Sequence, residues 1–268
     1  MIAESSDEVS VHPNLRLRDV GHVRILRIDR EEKLGAFSSS LVAAIGTEIV
    51  RIRQTPAVRV VVLTGTGRGF VAGADIEEYS HASVEEFEEY QRRSRAVFDD
   101  LARLPQATIA AVNGYAFGGG FEIALCCDFI LASTTARLGL PEIKLGLFPG
   151  GGGPQRLVRE VGARWTKELV MTGRTVYPDE ALAKGIVTRV HPPEELLEAA
   201  LEFATVLAGQ PRSALRDAKH LIDSGRSQDI ETALTADQLA LARLFHSEDG
   251  QEGIRAFIEK RPAAFGDD

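Results

Sequence analysis

Residues 22–65 read HVRILRIDREEKLGAFSSSLVAAIGTEIVRIRQTPAVRVVVLTG. The first eight, HVRILRID (22–29), alternate apolar and polar like a strand with one buried face, and VRVVVLTG (58–65) is a continuous β-branched run suited to a sheet covered on both faces. Between them SSSLVAAIGTEIVRIRQ (38–54) sets Leu41, Ile45, Ile49 and Ile52 on one helical face behind a serine start. A strand, a helix and a strand in this order favour a parallel pair, and with it an α/β core.

Working outward, ATIAAVNGYA (107–116), FILAS (129–133) and IVTRV (186–190) read as further strands, and the acidic stretch 74–104 reads as helical with a solvated face. After Pro192 the texture changes, and 193–211, 213–225, 229–247 and 248–261 are all helical in pattern. The expected organisation is an α/β core over 1–192 and a helical C-terminal region over 193–268, without repeats or low-complexity linkers.

Composition narrows the partners. The 268 residues carry 39 acidic against 31 basic side chains, a net charge of −8, and no window is a block of Lys and Arg. That argues against nucleic acid or an anionic membrane as the main partner. No apolar run approaches the roughly 20 residues of a membrane span. The start, MIAESSDEVSVHP, has neither an apolar secretory core nor the arginines of a transit peptide, so a cytoplasmic protein is expected. Cys126 and Cys127 are adjacent, which suits small core residues of a reducing compartment and neither a disulfide framework nor a zinc site. The histidines show no metal-ligand spacing.

Three glycine-bearing turns follow apolar runs: GTGRGFVAGAD (65–75), NGYAFGGGFE (113–122) and KLGLFPGGGGPQRL (144–157). Such turns leave backbone N–H groups uncovered, as an oxyanion or phosphate site requires, and two of them opening two helices could aim their N–H groups at one point. None has the spacing of a dinucleotide fingerprint or the Gly-Lys-Ser/Thr ending of a P-loop, and no nucleophile elbow is present. Glu122 lies three residues past Gly119 in an apolar setting, and Glu142 directly follows a proline twenty residues further on. Each alone reads as a carboxylate that accepts N–H bonds at a helix start or pairs with an arginine such as Arg156. Together, desolvated, they are what paired proton transfers need.

The segments FVAGADI, AAVNGYAFGGGFEIALCCDFILAS, LPEIKLGLFPGGGGPQRL and EGIRAFIEKR, in this order, resemble the enoyl-CoA hydratase/isomerase (crotonase) superfamily, with similarity from about residue 15 to 266. The resemblance implies a crotonase-like spiral of β-β-α turns, a helical C-terminal region that mediates trimer formation, and a trimer or dimer of trimers. It also implies an acyl-CoA substrate, with coenzyme A as part of the substrate and no separate cofactor. The thioester oxygen would sit between the N–H groups of Ala74 and Gly119, and Ala72, Asp75, Ile76, Gly118 and Lys260 would belong to the CoA site, Lys260 by way of a neighbouring subunit. Of the matching glutamates, Glu122 would take a proton from water and Glu142 would supply one to C2; the presence of both favours a hydratase over an isomerase. A side chain at Gly119 is expected to block the oxygen.

Departures from the family pattern fall around the CoA site. Glu31 and Gly35 stand in REEKLGAF where the pattern has proline and asparagine, Glu77 stands where a lysine is common, and Pro154 replaces a threonine. Lys33 and Arg68 are the remaining candidates for the CoA phosphates. The acyl pocket is expected to draw on 77–100 and on the C-terminal helices. Three readings stay open: a 2-enoyl-CoA hydratase, an isomerase or other specialised acyl-CoA enzyme with the same oxyanion hole, and a non-catalytic CoA-binding or RNA-associated scaffold.

Overall fold

The computed structural model describes residues 7–266, so the first six residues of the acidic N-terminal stretch lie outside it. β1 (Val9–His12), β2 (Leu15–Val20) and β3 (Val23–Ile28) form an antiparallel meander. In β3 the apolar Val23, Ile25, Leu26 and Ile28 are buried, while Arg24 reaches across to Asp19, its register partner on β2. α1 (Ser39–Arg53) starts where Ser38 accepts the Leu41 N–H, and its Leu41, Ile45, Ile49 and Ile52 are all buried. β4 (Val60–Gly65) then pairs parallel with β3, from Val23↔Val60 to Ile28↔Gly65, as the strand-helix-strand pattern requires.

From β4 onward the chain makes one move three times. β4 lies in the large sheet; after a short corner β5 (Gly69–Val71) opens a second sheet, and α2 (Ile76–Tyr79) and α3 (Val84–Ala102) follow. β6 (Ala107–Val112), β7 (Tyr115–Phe117) and α4 (Gly119–Ala124) repeat the move. β8 (Phe129–Ser133) and β9 (Arg137–Gly139) begin it again, ending in a 3-10 turn at Glu142–Leu145 and α5 (Gly153–Val161). α6 (Ala163–Thr172) and α7 (Pro178–Ala183) lead to the short strand β10 (Arg189–His191). The chain finishes in α8 (Leu196–Ala208), α9 (Arg212–Gly225), α10 (Ile230–Phe245) and α11 (Glu248–Glu259).

The large sheet runs β1-β2-β3-β4-β6-β8-β10, parallel from β3 onward, and the small parallel sheet runs β5-β7-β9. Both faces of the large sheet are covered, which is why β4 and β6 are apolar without alternation. On one face Val60, Val62, Ile109 and Leu131 pack under Leu196, Ala200 and Ala204 of α8. On the other, α1, α3 and α4 share a second core with the small sheet.

ATIAAVNGYA, which reads as one strand, is two strands in two sheets, because Asn113 and Gly114 turn the corner between them. Asn113 accepts the Gly65 N–H at 3.0 Å and donates to the carbonyls of Gly67 and Gly69, also at 3.0 Å, so one side chain ties the corner after β4 to the corner after β6. Likewise 74–104 is two helices, divided where Ser83 and Glu86 form a capping box at the start of α3. The last strand lies at 189–191 rather than 186–190.

Candidate active site

Because β5, β7 and β9 are parallel neighbours, the segments that leave their C-terminal ends come together. These are 72–75, 118–122 and 140–142, which carry Ala74, Gly119, Glu122 and Glu142. They line a cavity of about 480 Å³ together with Ala72, Ile76 and Gly118. The cavity walls are mainly apolar, with Phe37, Phe98, Phe117 and Phe148 among them.

Neither the Ala74 nor the Gly119 N–H donates a hydrogen bond among the described residues, while one neighbour of each does: Asp75 N–H to Phe37 O at 2.8 Å and Gly118 N–H to Gly139 O at 2.9 Å. The Ala74 amide is freed by the turn after β5, and that of Gly119 is the first of α4, where no helical partner exists. In the glycine run, Gly118 has φ +52°, and a Cβ there would meet Glu142 Oε1 at 2.7 Å; one on Gly120 would meet the Val71 carbonyl oxygen at 1.9 Å. At Gly119 the nearest atom to a Cβ would be Phe37 Cδ2 at 3.6 Å, so the protein itself leaves room for a side chain there.

Glu122, 3% exposed, accepts the Gly153 N–H on Oε1 at 2.8 Å and the Gly151 N–H on Oε2 at 3.0 Å. The third glycine turn and the start of α5 therefore point at a carboxylate. The helix-start reading thus describes Glu122, and the helix is α5. Arg156 forms its ion pair with Asp99 at 3.1 Å rather than with Glu122. Burial raises the Glu122 pKa, opposed by the N–H groups of Gly153 and Gly151 and then by the charges of Arg156 and Arg95.

Glu142 is held differently. It opens the 3-10 turn after Pro141, and its buried Oε2 has no hydrogen-bond partner. Burial pushes this carboxyl up to about 7, its own backbone N–H opposes the rise, and the nearby Glu122 charge adds to it. Two carboxyl groups thus face one cavity, one clamped by N–H donors and one with an oxygen unengaged.

The other expected residues divide. Asp75 turns to Arg30, which donates to it at 2.7 Å, and does not line the cavity. Lys33 is bound to Glu77 and lies 3.9 Å from Asp75, so the acid in the place of a family lysine has taken up a nearby cation. Arg68 rests on the Tyr115 ring. Lys260 is exposed at the end of α11, away from the cavity lining. The outer wall does come from 77–100, through Tyr79, Phe87, Tyr90, Gln91, Ser94 and Phe98. The C-terminal helices contribute nothing to it within one chain; Leu145, Leu147 and Phe148 stand there instead. Cys126 is buried, and its thiol, pushed up to about 12 by burial, donates to the Glu122 carbonyl.

The sequence profile of the family Enoyl-CoA hydratase/isomerase matches residues 20–268. The short-chain-enoyl-CoA hydratase of Clostridium acetobutylicum is 40% identical over 249 residues, 92% of this chain and 95% of that protein. The crotonyl-CoA hydratase of Syntrophomonas wolfei is 36% identical over 255 residues, 95% of this chain and 98% of that protein. The crystal structure of an enoyl-CoA hydratase from Bacillus anthracis superposes with a TM-score of 0.93 at 36% identity, covering 95% of this chain and 100% of that one.

Proposed function

The chain belongs to the enoyl-CoA hydratase/isomerase family, and on that premise we propose that it adds water across the 2,3 double bond of a 2-enoyl-CoA to give a 3-hydroxyacyl-CoA. The thioester oxygen accepts the N–H groups of Ala74 and Gly119, which both line the cavity and donate to nothing else among the described residues. As water adds at C3, negative charge collects on that oxygen, where each such donor stabilises the transition state by about 3–4 kcal/mol. Glu122, whose ionised form its two N–H donors favour against the cost of burial, takes the proton that the water loses. Glu142, which holds its proton to about pH 7, gives one to C2. The turnover leaves Glu122 protonated and Glu142 ionised, and proton exchange resets them.

The observation that carries the reading is the buried, unpaired Glu142 Oε2 in the same cavity as the clamped Glu122 and two free amides. This chemistry moves protons only, so the reading calls for no cofactor beyond the coenzyme A carried by the substrate. Ala72, Ile76 and Gly118 border the thioester end. Lys260 reaches the CoA of a neighbouring subunit in a trimer or dimer of trimers. No helix among the described residues is long and apolar enough to cross a membrane. The reading puts the protein in the cytoplasm, where the unpaired Cys126 and Cys127 stay reduced.

The test is the loss of conjugated-enoyl absorbance when pure protein meets 2-enoyl-CoAs of four to twelve carbons. Glu122→Gln and Glu142→Gln should each slow hydration by orders of magnitude while acyl-CoA still binds. Unchanged turnover in either variant removes that residue from the mechanism. Gain of conjugation from a 3-enoyl-CoA, without hydration of any 2-enoyl-CoA, would replace hydration by isomerisation.

A further inference from the structure

One wall of the cavity belongs to α3. α3 faces it with Phe87, Tyr90, Gln91, Ser94 and Phe98, the spacing of one helical stripe. Behind that stripe, between α1 and α3, lies a groove of about 590 Å³, larger than the cavity itself. Its floor is apolar, with Val42, Ala43, Ala96 and Val97, and its lip is charged, with Glu85, Glu89 and Arg93. Among the described residues, Tyr90 and Ser94 are the two that line both spaces. They stand four apart on α3, one above the other, so they form a single partition.

Tyr90 is the larger part of that partition, and it is braced. Its ring lies 5.8 Å from that of Tyr79, which is itself 5.3 Å from Phe87. Tyr90 also borders a smaller hollow with Tyr79, His81 and Ala82 on the outer side of the same wall. Removing this one ring therefore connects the cavity to apolar space beyond it, whereas removing a residue such as Phe98, which lines only the cavity, merely widens it.

We propose that Tyr90, backed by Ser94, is the stop that sets the longest acyl chain the cavity accepts, and that the α1–α3 groove is the space it closes off. The inference rests on the acyl-CoA reading above and makes it specific: the substrate has a short acyl chain whose end meets the Tyr90 ring. A longer chain must displace the ring from its packing against Tyr79 or fold back within the cavity.

The experiment measures two things for a series of four, eight and twelve carbons: hydration of 2-enoyl-CoAs, as kcat/KM, and calorimetric binding of the saturated acyl-CoAs. Wild type should lose tenfold or more in both between four and twelve carbons. Tyr90→Ala should raise the twelve-to-four ratio at least tenfold. Tyr90→Phe keeps the ring and should leave that ratio within about twofold of wild type. If the alanine variant does not fold, Tyr90→Leu shortens the side chain with less loss of packing and should move the ratio the same way. A wild type that takes twelve carbons as readily as four overturns the proposal, and so does an unmoved ratio in a folded Tyr90→Ala or Tyr90→Leu. Failure to hydrate any chain length sinks the hydratase reading instead, and the binding series still decides the role of Tyr90.

Discussion

Glu122 and Glu142 share a cavity but differ in what burial costs them. Glu142 has a folded pKa of about 7 against 4.5 for the ordinary carboxyl, so the folded state binds its proton more tightly than the unfolded chain does. Its contribution to stability is therefore full below about pH 4.5 and is lost as pH rises through about 7. Glu142→Gln cannot ionise and escapes that loss. Thermal melts should show it unfolding above wild type at pH 8, with the gap closing toward pH 5. Glu122→Gln also escapes an ionisation that burial disfavours, but it should unfold below wild type at pH 8, because an amide puts N–H against N–H at Gly151 or Gly153, and one buried donor left unpaired costs about 1–3 kcal/mol. Melting shifts of the same sign in both variants at pH 8 would contradict this account. Both glutamates stood out in the sequence because each is a carboxylate in an apolar run. Their different restraint did not, since the donors to Glu122 lie 29 and 31 residues away. Tyr90 was equally hidden, as one aromatic among the acids of α3.

At the scale of elements, the site depends on three corners between large and small sheets. Asn113 ties two of them, and Asn113→Ala would leave the Gly65 N–H and the Gly67 and Gly69 carbonyls without that partner. The expected result is a melting temperature lower by several degrees and a fall in hydration larger than the lost folded fraction explains, since β5 and β7 carry Ala74 and Gly119 at their ends. Melts paired with kcat measured well below the transition check it. An activity loss that merely tracks unfolding would make the corner structural only. The parallel core of the large sheet was legible, because β3, β4, β6 and β8 are five or six residues long and strongly apolar, whereas β1 and β2 were not read as strands. The small sheet was not: β5, β7 and β9 have three residues each, too few to show a period, and β7 merged with β6 in one apolar reading. The sheet that arranges the site is thus the one with the weakest local signal.

For the whole molecule, the C-terminal helices present an unspent apolar surface. α10 buries none of its residues, yet carries Leu239 and Leu241, each 69% exposed, and α11 carries Phe257, 85% exposed. Large apolar side chains left this exposed suit an interaction surface, and the trimer in our reading would cover them. Light scattering should give a mass of three or six chains for the wild type. Leu239→Glu combined with Phe257→Glu should give single chains with unchanged far-UV circular dichroism, whereas a monomeric wild type would contradict the assembly. The change of texture after Pro192 was plain in the sequence, but which helices stay uncovered was not, because α8 is as helical in pattern as α10 and packs on the sheet. The clamp on Glu122 also has a consequence in time. A ribosome delivers Glu122 well before Gly151 and Gly153, so a nascent chain halted at residue 150 owns both free amides and both carboxylates, yet the Glu122 carboxylate lacks its two N–H donors. The site is completed by the third turn of the spiral, and activity should begin only once that turn has emerged and closed.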